Sequence, residues 1–91
     1  MTEDEEIRRG FEANRILNEP LLVEAFDALR EAILVRMGQV DVGARDAHRD
    51  LIVSLQILER VKGNLRDHIE TGKMAQISKM TAKERIKRVF G

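Results

Sequence analysis

From Ala44 onward the chain alternates steps of four and three, through positions 44, 48, 51, 55, 58, 62, 65 and 69. Ala44, Leu51, Leu55, Leu58, Leu65 and Ile69 occupy six of those eight positions, and His48 and Lys62 interrupt the row. This is the seam of a helix packed lengthwise against another helix. It predicts a long helix over about 43–71. The centre of that helix constrains the fold more tightly than its seam. Between Leu51 and Val61, seven of eleven residues are large aliphatics, and they point nearly all round. A helix that is apolar all round is buried on more than one side. In a chain of 91 residues one neighbouring helix cannot cover it, so self-association is the expectation.

The partner for the seam precedes it. Leu22, Phe26, Leu29, Ile33 and Met37 follow at helical spacing, and a second flank carries Leu21, Ala25, Ala28, Ala32 and Val35. Pro20 suits the first turn of this helix, and Gly38 is placed to end it as the residue after the C-cap. The helix is expected over about 20–37, forming an antiparallel hairpin with 43–71. Residues 39–43 connect the two, with Asp41 or Gly43 as the N-cap. The expected oligomer interface is Leu51, Leu55, Leu58, Val61 and Leu65, with the alanine row Ala25, Ala28 and Ala32, which lets another helix approach closely.

Thr2-Glu3-Asp4-Glu5 reads as a capping box opening a helix over about 3–18, with a rough stripe of Ile7, Phe11, Ile16 and Leu17. Asn18-Glu19-Pro20 ends it, because a residue before proline is pushed out of the helical region. At the other end, Gly72 reads as a helix stop and 74–80 as a linker. Thr81-Ala82-Lys83-Glu84 reads as a second capping box for a short amphipathic helix over about 82–90. Its apolar residues Ile86, Val89 and Phe90 would dock on a partner, since so short a helix is unstable alone. The fold class is all-α, with residues 1–73 as an oligomerisation domain and 74–91 as a basic tail.

Formal net charge is zero, from sixteen acids and sixteen bases, but the charges are segregated. Residues 1–19 sum to −3 and residues 74–91 to +4. The basic cluster is Lys79, Lys83, Arg85, Lys87 and Arg88. Such clusters at helix ends complement the macrodipole, or they engage an acidic partner: weak, non-specific contact with DNA, an acidic protein surface, or the acidic head of another subunit. With three aromatics, all Phe, no stacking platform for single strands is present.

No constellation for chemistry emerges. The chain has no cysteine, which excludes disulfides, thiol nucleophiles and zinc fingers. His48 and His68 lie twenty residues apart on one predicted helix, roughly 30 Å, too far to share a metal. Gly72-Lys73 lacks the remaining residues of a phosphate loop, and Ser54 and Ser78 lack the context of a nucleophile. No enzyme activity, metal or cofactor is expected. The acidic start is the reverse of a signal peptide, and no apolar stretch approaches the ~20 residues of a membrane span.

One resemblance rests on the order Arg9-Gly10, Ala13, Ile16-Leu17, Pro20-Leu21 and Glu24-Ala25-Phe26, then Asp46, Arg49, Leu51, Leu55, Leu58 and Val61, then Glu70-Thr71-Gly72-Lys73-Met74-Ala75. Over about residues 9–75 the chain resembles small helical proteins of the packaging and head-morphogenesis region of tailed bacteriophages, among them small terminase subunits. The resemblance implies a non-enzymatic oligomer acting beside the large terminase or other phage head proteins, in the host cytoplasm or on the virion. The chain departs from small terminases in lacking room for their separate N-terminal DNA-binding domain. Two other functions fit the same residues: a virion structural protein, capsid-cementing or head–tail connecting, and a small adaptor or inhibitor of a host protein.

Overall fold

The computed structural model describes residues 1–90; Gly91 and the side chain of Phe90 lie outside it. Three α-helices make up the described chain: α1 (Glu3–Leu17), α2 (Pro20–Gln39) and α3 (Arg45–Phe90). The chain divides into two compact units. Among the described residues, one joins 1–16 to 64–90, and the other is 17–63.

In the first unit α1 packs on the C-terminal part of α3. Its start follows the sequence: the Glu5 N–H donates to Thr2 Oγ1 at 3.2 Å, and four carboxylates, Glu3 to Glu6, occupy the first turn, where the helix dipole favours them. The packing face does not follow the expected stripe. Gly10 and Ala13 are the buried residues of α1, while Ile7, Ile16 and Leu17 are half-buried and Phe11 is exposed. Opposite lie the buried Gly72 and Ala75. A Cβ built on Gly10 would stand 3.0 Å from the His68 carbonyl oxygen and 3.1 Å from Gly72 Cα, and one on Gly72 would meet Glu6 and Gly10 equally closely. Two Gly-x-x-Ala segments thus bring the two backbones into contact.

That contact corrects the expectation of a stop at Gly72. Gly72 is helical with φ in the negative range, so it is a crossing point and not the residue after a C-cap. The expected linker 74–80 is helical too, and α3 runs unbroken for 46 residues. Thr81 opens no new helix: its hydroxyl donates to the Ile77 carbonyl at 2.9 Å, one turn back in the same helix. Glycine inside a helix costs about 1 kcal/mol against alanine, which the close approach of α1 offsets here.

In the second unit α2 packs on residues 45–63 of α3. Glu19 before Pro20 is extended, at φ −69° and ψ 116°, as the residue before proline requires. Gly38 stays inside α2, and Val40 ends it in an extended conformation, its N–H donating to the Arg36 carbonyl at 3.2 Å. α3 starts from a backbone turn and not from a side-chain cap: the Ala44 N–H donates to the Asp41 carbonyl at 2.9 Å and the Arg45 N–H to the Gly43 carbonyl at 3.0 Å. Lys62 Nζ sits 5.5 Å from the Phe26 ring centroid, and Arg30 Nε lies 3.8 Å from Glu59 Oε1. Residue numbers rise on α2 as they fall on α3, so this pair is antiparallel.

The glycines make a matched test. Alanine at Gly63 meets open space and should stabilise by about 0.5–1 kcal/mol through helix propensity. Alanine at Gly10 or Gly72 faces backbone that cannot rotate away, and overpacking of about 1–3 kcal/mol should outweigh that gain. In thermal unfolding followed by circular dichroism, G63A should melt above the parent chain and G10A and G72A below it. Equal shifts at all three sites would contradict the backbone contact.

Candidate functional site

Among the described residues no three His, Asp or Glu lie close enough to hold a metal, and no helix is long and apolar enough to cross a membrane. His48 is half-buried, and its Nε2–H donates to the Asp41 carbonyl at 2.9 Å, tying the start of α3 to the turn before it. Lys62, the other interruption of the seam, lies over Phe26. Both interruptions are therefore accounted for within the chain. The candidate site is instead surface, and each unit carries one.

In the first unit the acidic head meets the basic tail. Lys79 Nζ donates to Asp4 Oδ1, and Ser78 Oγ donates to Glu3 Oε1 at 3.2 Å. The hydrogen bond from Lys79, followed by its charge, holds the Asp4 carboxyl below its ordinary range. The same bond and the Asp4 charge raise the Lys79 ammonium. Lys79, expected as a contact for DNA or a partner, is thus engaged by its own chain. Asp4 and Lys79 pair within one molecule.

Lys83, Arg85, Lys87 and Arg88 are exposed, with no ion-pair partner among the described residues. At 100° per residue they spread around α3 instead of forming one stripe. Ile86 and Val89 are 57% and 74% exposed. They continue, with Ala82, the row that α1 covers at Gly72 and Ala75. The Phe90 side chain, expected to dock beside them, lies outside the described residues. A shallow groove in the same unit is lined by Ile7, Phe11, Ile69, Lys73 and Gln76. Sequence reasoning missed it; the signal was the repeated Gly-x-x-Ala, which sets the helices close enough to frame it.

The expected oligomer residues separate into two groups. Leu58 is buried, and Leu51, Leu55 and Leu65 are half-buried, so these four serve contacts within the chain. Ala25, Ala28, Ala32 and Val61 are exposed and open to another molecule. α2 has no fully buried residue, and Leu21 and Leu29 are 73% and 55% exposed. On α3, Ile52, Val53 and Ile57 are also exposed.

Compared with protein-family models, curated proteins and solved structures, the chain matches none.

The Asp4–Lys79 pair gives a pH dependence with a definite sign. A carboxyl lowered by folding contributes stability above its ordinary pKa, lost as pH falls through the lowered value. A raised ammonium contributes below its ordinary pKa, lost as pH rises through the raised one. Asp4→Asn should therefore speed amide exchange of residues 5–9 at pH 7, and the difference from the parent chain should vanish below the carboxylate range. A difference that persisted in acid would dismiss the ion pair as its cause.

Proposed function

We propose that this chain is a non-enzymatic, self-associating assembly protein, of the kind that small terminase subunits represent in phage DNA packaging. The observation that carries the reading is the distribution of apolar residues. Ala13, Leu58 and Ala75 are the buried apolar residues, whereas seventeen large hydrophobics among the described residues are exposed. So few buried apolar residues beside so many exposed ones suit a protein that works through contact with other macromolecules. The resemblance to phage packaging proteins drawn from the order of residues over 9–75 points to the same class.

Within this reading the second unit serves self-association, and the end of α3 serves an acidic partner. Lys83, Arg85, Lys87 and Arg88 face a single carboxylate in their segment, Glu84. Their spread around the helix suits phosphates, which reward charge more than geometry. The uncovered row of Ala82, Ile86 and Val89 also suits docking on another head protein, the virion-structural alternative. Co-purification with mature particles separates that alternative from a packaging role.

Fluorescence anisotropy with a duplex DNA probe tests the acidic partner. Replacing all four cations by alanine should abolish binding at low salt and leave helicity intact, since alanine favours helix. In the parent chain the affinity should fall with salt, with a log–log slope of roughly −2 to −4 for two to four phosphates. Affinity that survives the fourfold substitution would overturn the DNA-binding assignment.

A further inference from the structure

We infer that the groove between α1 and the C-terminal part of α3 receives an acidic amphipathic helix of a partner protein. The groove belongs to the first unit alone, so the inference is independent of self-association by the second.

The groove follows from the glycine crossing. Because Gly10 and Gly72 meet backbone to backbone, the side chains flanking the contact do not fit between the helices and line one side of it. On α1 these are Ile7 and Phe11. On α3 they are Ile69, Lys73, Gln76, Met80 and Lys83, a stripe at alternating steps of four and three. Two stretches make up the groove, of about 170 Å³ and 520 Å³, and they share Ile7, Lys73 and Gln76. From Ile69 to Lys83 it runs about 21 Å along α3 at 1.5 Å per residue, the length of four turns of another helix.

Its lining is apolar with charge of one sign. Phe11, Ile77 and Met80 are 62%, 64% and 63% exposed, and Ile7 and Ile69 are half-buried beside them. Lys73, Lys79 and Lys83 line it as well, and among the described residues no Asp or Glu does, in a chain with as many acids as bases. Asp4 holds Lys79. Lys73 lies 3.7 Å from Glu70, a pair exposed on both sides and therefore weak. Lys83 has no ion-pair partner among the described residues. The complementary occupant has apolar side chains on one face and carboxylates along the edges of that face.

The exposure of Phe11, Ile77 and Met80 decides between a small molecule and a helix. A drug-sized ligand needs about 70–90% of its surface buried, which so open a groove does not provide. A helix needs one face buried, and an apolar row at helical spacing laid in a groove is a recurrent mode of recognition. DNA would meet the lysines but gain nothing from the apolar side chains between them.

Fluorescence anisotropy on the full chain tests this with a labelled synthetic peptide of about 14 residues, four helical turns, with leucine along one face and glutamate on the others. The acidic peptide should bind at micromolar concentration. A scramble of it, and a version with lysine for every glutamate, should bind at least tenfold more weakly. Phe11→Gln and Met80→Gln should each weaken the acidic peptide about tenfold, the scale of one apolar side chain buried. Met74→Gln is the matched control: Met74 is 70% exposed and turned about 120° away from Met80 around α3, so affinity should not change. Glutamine is a good helix former and all three positions are exposed, so each variant should keep the parent's helical circular dichroism. Should Phe11→Gln or Met80→Gln lose helicity, the other decides. Equal binding of the acidic peptide and its scramble, or Phe11→Gln and Met80→Gln both matching Met74→Gln, would overturn the groove as the site. A lysine peptide that binds as well as the acidic one would overturn the charge of the partner. Duplex DNA whose affinity falls with Met80→Gln as the peptide's does would overturn the helix in favour of nucleic acid.

Discussion

Gly10 and Gly72 touch backbone to backbone, and the rest of the first unit depends on that contact. With a Cβ at either position standing 3.0–3.1 Å from the other helix's main chain, glycine at both sets the distance between α1 and α3. The close approach buries Ala13 and Ala75 behind it and removes any reason for α3 to end at residue 72. It also frames the line along which Asp4 reaches Lys79 and Glu3 receives the Ser78 hydroxyl. A helix interrupted at 72 would make none of these contacts.

Close packing on small residues has a cost in hydrophobic driving force. An alanine side chain removes far less apolar area from water than leucine, and stabilisation scales at about 25 cal/mol per Å². Two glycines and two alanines therefore position helices well and stabilise them modestly. The second unit has Leu58 as its buried apolar residue, with the rest of its seam half covered. What the chain does not bury on itself remains as surface, and that surface carries the functional reading. Lys62 over Phe26 and His48 on the Asp41 carbonyl show the same economy: polar groups complete a contact that is too small to be wholly apolar.

Much of this was legible in the sequence. Thr2 announces α1 and Asn18-Glu19-Pro20 separates α1 from α2, signals that act within one turn, and the four-and-three spacing from 44 onward announces α3 along a single helix. The errors lie where a local signal met a tertiary contact. Gly72 looks like a stop because glycine favours helix ends, and only the position of Gly10 on another helix makes it a crossing point. Thr81 and Glu84 have the spacing of a capping box, but a threonine inside a helix satisfies its hydroxyl on the preceding turn. Phe11 falls in the apolar stripe of α1 by its spacing, yet it is exposed because the helices meet too closely at Gly10 and Ala13 to take it. Among the candidate surface residues, sequence alone could not divide Leu58, which α2 covers, from Val61, which it leaves open, since both belong to one apolar run. Lys79 likewise looked equivalent to Lys83, and only the fold brings Asp4 to it.

The most direct test is a proton–proton distance at the crossing. In an isotope-labelled full chain, mixed with unlabelled chain to isolate contacts within one molecule, the α-protons of Gly10 and Gly72 should give a strong nuclear Overhauser cross-peak. Carbon shifts should stay helical from residue 70 through 80. Absence of that cross-peak, with random-coil shifts over 74–80, would contradict the account by restoring a helix stop at Gly72.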